Sequence, residues 1–401
     1  MTKHTNAPAL RFPEFRDEWN QNKLSDVVNV YDGTHQTPKY TNEGIKFLSV
    51  ENIKTLNSDK YISKEDFIKE FKIHPEYGDI LMTRIGDIGT PNIVNLKEPL
   101  AYYVSLALLK PININSYFLN SLILSPTVQN ELWRKTLHIA FPKKINKNEI
   151  AKVLINYPTF NEQEKIGYFF SKLDRQIELE EEKLELLEQQ KRGYMQKIFS
   201  QELRFKDEIG NEYPEWKNTK LRNVIKLQNG YAFKSNLFTE KGIPIIRITD
   251  INKSLVSEGT VYYPRNINID EKFIINKNDI LIAMSGATTG KLGKYISDTS
   301  SYLNQRIGKF VMKNKTNNDF LFAYLNSIYF KKELIKLLVS GAQPNISSQD
   351  IENIELSLPD PEEQRKIGIF LSNFDEFIQK QSIKIEQLKQ RKKGLLQKMF
   401  I

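Results

Sequence analysis

Between Ser285 and Gly293 the chain reads S-G-A-T-T-G-K-L-G, directly after the apolar run D-I-L-I-A-M. A strand, two glycines, threonines and a lysine are the materials of a nucleotide-binding loop. Such a loop needs four residues between its glycines, so that successive amides curl around a β-phosphate, and a Ser or Thr after the lysine to hold Mg²⁺. Here three residues separate Gly286 from Gly290, and Leu292 follows Lys291. The spacing therefore argues against ATP hydrolysis. Other chemistries fare no better. Transfer of a methyl group to an exocyclic amine calls for an Asn/Asp-Pro-Pro-aromatic turn, and N-Y-P-T-F (Asn156 to Phe160) lacks the paired prolines. His4, His35, His74 and His138 are scattered without metal-ligand spacing. The string E-F-K (Glu70 to Lys72) sits in a charged, helix-like stretch with no strand aspartate before it, as a nuclease would need. No catalytic constellation and no metal set emerges, which points to binding rather than catalysis.

Composition says what could be bound. The chain has 401 residues, a net charge of +9 and no cysteine, with 40% apolar and 11% aromatic residues. These values describe a folded protein of two to three domains without disulfides or thiolate metal sites. The start has no apolar run of signal-peptide length, and no window reaches the roughly 20 apolar residues that cross a bilayer. A soluble, cytoplasmic protein with no membrane partner is the expectation. The positive balance favours a polyanion, because each Lys or Arg placed on a phosphate releases condensed counterions.

The elements that would position such residues come in duplicate. E-W-N-Q-N-K-L-S-D-V-V (Glu18 to Val28) returns as E-W-K-N-T-K-L-R-N-V-I (Glu215 to Ile225), and G-D-I-L-M (Gly78 to Met82) returns as N-D-I-L-I (Asn278 to Ile282). E-Q-E-K-I-G (Glu162 to Gly167) returns as E-Q-R-K-I-G (Glu363 to Gly368), and K-R-G-Y-M-Q-K-I-F (Lys191 to Phe199) as K-K-G-L-L-Q-K-M-F (Lys392 to Phe400). Four blocks in one order at nearly constant displacement mark a two-fold duplication. The glycine loop has its own counterpart, T-R-I-G-D-I-G-T-P (Thr83 to Pro91), which keeps the glycines and lacks the lysine. Both copies thus end a buried strand in a tight turn, with different polar tips.

Each half is mixed α/β first and helical afterwards. Four domains follow: a first mixed unit over 1–160, a helix over 161–200, a second mixed unit over 201–360 and a helix over 361–401. In the first helix Ile166, Phe170, Leu173, Ile177, Leu184, Leu187, Tyr194 and Ile198 recur at steps of four and three. Ile367, Leu371, Phe374, Ile378, Ile385, Leu388, Leu395 and Met399 do so in the second. This is a coiled-coil seam, interrupted by Glu180, Lys191, Gln381 and Lys392, which help fix register. A helix of about 35 residues is roughly 50 Å long. The first carries a run of glutamates between Glu178 and Glu188 and then Lys191, Arg192 and Lys197; the second has Asp375 and Glu376 early and Lys389 to Lys398 late. An antiparallel pair sets acid against base, whereas a parallel pair sets base on base. Packing of each seam on another protein is the alternative. The predicted fold class is α+β, with two duplicated mixed α/β domains separated by two long helices packed as an antiparallel coiled coil, pseudo-two-fold symmetric. Such a reader suits two half-sites on DNA with an unread gap between them.

These blocks, in this order, resemble the specificity subunits of type I restriction–modification enzymes: E-W-x-x-x-K-L, the G/N-D-I-L turn, P-x-x-x-E-Q-x-K-I at a helix start and the final Q-K-I/M-F. The likeness spans essentially the whole chain. It implies a non-catalytic subunit that recognises a bipartite, interrupted site in double-stranded DNA, one half-site per recognition domain. It also implies helices that dock two methyltransferase subunits, with restriction/translocase subunits completing the complex. No cofactor would then be bound by this chain; S-adenosylmethionine, ATP and Mg would sit on the partners. A related system with a fused nuclease–methyltransferase, a free-standing DNA-modifying enzyme and a coiled-coil scaffold without DNA are the rival readings.

Base readout favours Arg, Lys, Gln, Asn, Ser and Thr on exposed turns. In the first half the candidates are His35, Gln36, Lys39 and Tyr40, Arg84 and Asp87, and Lys143 and Lys144. In the second they are Lys234 and Asn236, Ser285, Thr288, Thr289 and Lys291, Gln305 and Arg306, and Gln343 and Asn345.

Overall fold

The computed structural model describes residues 6–252, 254–339 and 345–401; His4 and Gln343 lie outside the described residues. The chain divides into two units, one of residues 1–182 with 382–401 and one of residues 183–381. Both are α+β and built on one plan.

In the first unit the strands order as Val28–Asp32, Leu106–Pro111, Ile80–Ile85, Asp87–Ile93, all neighbours antiparallel. The two inner strands, L-A-L-L-K-P and I-L-M-T-R-I, are almost wholly buried, because both their faces are covered. A second sheet contains Ile45–Leu48 paired in parallel with Leu100–Tyr102. In the second unit the order Ile225–Asn229, Ile307–Met312, Ile280–Ala283, Leu292–Tyr295 repeats the first, again antiparallel, and Ser254–Val256 and Ile251–Asn252 extend the edge. The duplicated E-W-x-x-x-K block forms a strand in each unit. Asn20–Lys23 pairs with Leu154–Tyr157, and Lys217–Lys220 pairs with Glu355–Leu358. Each time this joins the start of the unit to the strand just before its long helix.

The long helices run Phe160–Phe199 and Pro361–Met399. The first begins in the first unit and ends in the second; the second begins in the second unit and ends in the first. In the first unit Lys389 Nζ lies 2.6 Å from Glu181 and Lys392 Nζ 2.5 Å from Asp174, and Lys384 pairs with Glu180. In the second unit Lys191 Nζ lies 2.5 Å from Asp375, and the Tyr194 ring packs on Phe370 and Phe374. Rising numbers on one helix meet falling numbers on the other, so the segments are antiparallel in both units. Most of the seam residues lie out of water, although Tyr194 is exposed. Ile166, Phe170, Leu173, Ile177, Ile367, Leu371 and Ile385 are buried, and Leu184, Leu187, Phe374, Ile378 and Leu388 half-buried. Leu179, Leu186, Phe377 and Ile383, off the seam, are exposed.

The E-Q-x-K-I-G block is explained by what it touches. Glu162 is buried in a two-point pair with Arg11 (2.7 and 2.6 Å), and Glu363 in one with Arg204 (2.7 and 2.8 Å). Each carboxylate holds its arginine's pKa above the ordinary value through that hydrogen-bonded contact. Gln163 accepts from the Asn115 amide and donates to the Pro158 carbonyl; Gln364 does the same for Asn317 and Pro359. The glycine lets the helix lie against the start of a neighbouring helix. A Cβ on Gly167 would sit 2.7 Å from the Phe118 amide, and one on Gly368 2.5 Å from Asn317 Oδ1.

The final Q-K-I/M-F block closes the cores, crosswise. Phe400 packs against Trp19, Phe118 and Phe170 at ring separations of 5.6–6.2 Å, within a core that also takes Leu396 and Met399. Phe199 packs against Trp216 and Phe320, within a core that takes Met195 and Ile198. Each helix thus starts on its own unit and delivers its last turn to the core of the other.

Candidate nucleic-acid interface

Strand direction decides where the candidate loops lie. Val28–Asp32 and Ile80–Ile85 are both antiparallel to Leu106–Pro111, so the two run parallel and end at one edge of the sheet. The loop after Asp32 and the turn after Ile85 therefore emerge together. The segment around Lys143 joins them: the Gly86 amide donates to the Lys143 carbonyl at 2.8 Å, and the Ile145 amide to the Arg84 carbonyl at 3.0 Å. His35, Gln36, Lys39, Tyr40, Asp87, Lys143 and Lys144 are all exposed, with Tyr40 on the second sheet, in a short strand paired with Tyr61–Ile62.

The second unit repeats the arrangement. Ile225–Asn229 and Ile280–Ala283 are both antiparallel to Ile307–Met312, so the loop after Asn229 and the turn after Ala283 share one end. The Gln305 amide donates to the Tyr231 carbonyl at 2.9 Å, the Met284 amide to the Arg306 carbonyl at 2.8 Å and the Ile346 amide to the Met284 carbonyl at 3.0 Å. Lys234, Asn236, Lys291, Gln305, Arg306 and Asn345 are exposed at this end, with Ser285, Thr288 and Thr289 half-buried. The turn after Ile85 thus lies with the segment around Lys143 in the first unit, and the stretches around Tyr231, Ser285, Gln305 and Asn345 are joined in the second. Among the described residues, Lys39, Lys144, Lys234, Lys291 and Arg306 make no ion pair.

The glycine-rich stretch from Ser285 is a tight turn. Gly286 and Gly290 both have φ of 86°, and their counterparts Gly86 and Gly89 have 80° and 86°, a region that penalises any side chain. The Gly290 amide donates back to the Ala283 carbonyl at 2.8 Å, and Thr289 Oγ1 to the Gly286 carbonyl at 2.6 Å. The threonine hydroxyl thereby helps to close the turn. A Cβ on Gly290 would meet Leu334 Cδ2 at 2.8 Å, so the turn also seats the helix Ile328–Val339.

Arg84 departs from the exposed tip expected of it. It is 4% exposed and ion-paired with Asp32, because its strand lies between two others and both faces are covered. Burial pushes its pKa below the ordinary guanidinium value, and the Asp32 carboxylate in contact compensates the charge. Tyr102 donates its hydroxyl to the Asp32 carbonyl at 3.0 Å, and burial raises its pKa. Arg84 therefore ties the roots of two loops together. Asp32 escaped the sequence reading; its matched residue in the repeat is Asn229, a loss of charge that hinted at a feature private to the first unit.

Among the described residues, no three His, Asp or Glu side chains converge as a metal site, and no helix is long and apolar enough to cross a membrane. The family described as "Type I restriction modification DNA specificity domain" matches twice, at residues 16–189 and 213–390. The specificity subunit of the type I restriction enzyme MjaVIII of Methanocaldococcus jannaschii is 27% identical, over 96% of this chain and 92% of that one. The S subunit of a type I restriction–modification system from M. genitalium superposes with a TM-score of 0.66 at 16% identity, over 98% of this chain and 99% of that one. A chain from a structural study of complex assembly and conformational transition in the type I system superposes with a TM-score of 0.53 at 15% identity, covering 94% and 96%.

Proposed function

The chain belongs to the type I restriction–modification DNA specificity family, and we propose that it is the sequence-reading subunit of such a complex. The observation that carries this reading is the gathering of the polar loops at one end of the central sheet in each unit. Each cluster reads one half of a bipartite site, and the base pairs between the halves go unread. The two clusters differ in residue type, so the half-sites differ in sequence. Unpaired lysines contribute affinity through phosphates, and Gln305, Arg306, Gln36 and their neighbours contribute selectivity at base edges.

The subunit itself carries out no bond-making step. Two methyltransferase subunits dock on the long helices and bring S-adenosylmethionine; restriction/translocase subunits bring ATP and Mg. The assembly acts in the cytoplasm on double-stranded DNA. The test is to reconstitute the chain with its methyltransferase subunits and map the modified bases on a plasmid of known sequence. Two short words at a constant spacing are expected. A single uninterrupted word, or the same modification without this chain, would refute the reading.

A further inference from the structure

The most exposed large apolar side chains of the first unit stand on the candidate interface itself. Ile139 is 99% and Phe141 103% exposed, at the tip of the segment between the helix Pro126–Arg134 and Ile145. Full exposure of one such residue is unremarkable; two on one short tip, held stiffly, call for an occupant. The base of the tip is well tied. The Leu137 amide donates to the Lys144 carbonyl at 2.8 Å, and Thr136 Oγ1 to the Leu132 carbonyl at 2.8 Å. The His138 and Trp133 rings are 4.3 Å apart, and Lys143 Nζ lies 4.5 Å from the Trp133 ring centre. The Gly86 amide then pins the Lys143 carbonyl to the turn after the strand Ile80–Ile85.

The surroundings say what the occupant is. From Arg134 to Lys147 the sequence carries Arg134, Lys135, Lys143, Lys144 and Lys147 and no carboxylate; Arg134 and Lys135 pair with Glu131, and among the described residues Lys143, Lys144 and Lys147 make no ion pair. An apolar protein groove does not call for that charge; a polyanion with an apolar interior does. Stacked base pairs between two phosphate strands meet the description. We propose that Ile139 and Phe141 form a wedge that enters a base step of the duplex at the half-site read by the first unit, while the lysines hold the flanking phosphates. Partial unstacking of that step lets the remaining loops reach their base edges on a bent duplex. The matching string of the repeat, G-A-Q-P, has Gly341 and Gln343 in place of Ile139 and Phe141. The wedge is therefore a property of one half-site only. This inference rests on the chain being a DNA-specificity subunit.

The experiment compares the assembled methyltransferase complex carrying the native chain with one carrying Ile139→Ser and Phe141→Ala together. Duplexes bear 2-aminopurine at successive positions across both half-sites. Apart from the rise at any base that a methyltransferase subunit extrudes, the native complex should show a further fluorescence rise at one step of one half-site, and the double variant should lose that further rise alone. Its affinity should fall by about ten-fold to a hundred-fold, with the salt dependence unchanged because no charge was removed. Phe141→Leu should retain most of the signal. An unchanged rise and affinity in the double variant would overturn the wedge. So would DNA binding at the native level with loss of methyltransferase subunits, which would assign the tip to a protein partner. If the native complex itself fails to bind two spaced half-sites, the reading of the chain as a specificity subunit falls with it.

Discussion

Replacing Phe400 by alanine should loosen the first unit and spare the second, although Phe400 is joined by sequence to the second. The ring is 4% exposed and meets Trp19, Phe118 and Phe170 at 6.2, 5.6 and 5.7 Å. Truncating a phenylalanine in such surroundings costs about 3–5 kcal/mol, the sum of lost transfer energy and the cavity left behind. At about 1.4 kcal/mol per factor of ten, amide protection in that core should fall roughly a hundred-fold to several thousand-fold. Hydrogen exchange read by mass spectrometry resolves the units through peptides covering Ile80–Ile85 and Leu106–Pro111 in one, and Ile280–Ala283 and Ile307–Met312 in the other. Phe199→Ala is the reciprocal experiment: Phe199 packs on Trp216 and Phe320, so the second unit should lose protection. The reasoning fails if Phe400→Ala deprotects the second unit, or if both variants deprotect the unit nearest in sequence.

Other substitutions separate structural from DNA-facing roles. Arg204→Ala leaves the buried Glu363 carboxylate without its two-point partner, and should cost about 3–5 kcal/mol in urea unfolding. Arg84→Ala, which abandons Asp32 in the same way, should lower the melting temperature, whereas Arg306→Ala, on an exposed tip, should leave melting unchanged and weaken cognate binding by about 1–3 kcal/mol. Lys392→Glu sets like charge against Asp174 and should cost under about 1 kcal/mol; adding Asp174→Lys should restore the native melting curve. Gly290→Ala meets both a φ of 86° and the Leu334 methyl, so it should destabilise the second unit by about 1–2 kcal/mol or more and slow site-specific modification in a reconstituted assay.

Much of this architecture is written locally in the chain. Periodicity of three and four residues belongs to the helix itself, so the seam from Ile166 to Leu187 and from Ile367 to Leu388 is legible without a structure. Charge order along the two helices carries their antiparallel sense, since the glutamates near Glu180 require the lysines from Lys384 to Lys392. Repetition of the blocks carries the duplication, and the glycine spacing carries the turn at Ser285 and the exclusion of a phosphate loop.

What depends on contacts between distant residues had to wait for the tertiary structure. Arg84 reads as a polar tip because it adjoins a turn, yet it is buried; only the strands on either side of it cover both faces. The E-Q blocks are visible as a repeat, but their buried glutamates are explained only when Arg11 and Arg204 are found beside them. Nothing in the string Q-K-M-F says that Phe400 fills a core built around Trp19, nearly a chain length away. A sequence specifies which side chains must leave water, through their spacing. Which partner removes them is set by how the chain returns on itself, and that is decided by all the long-range packing at once.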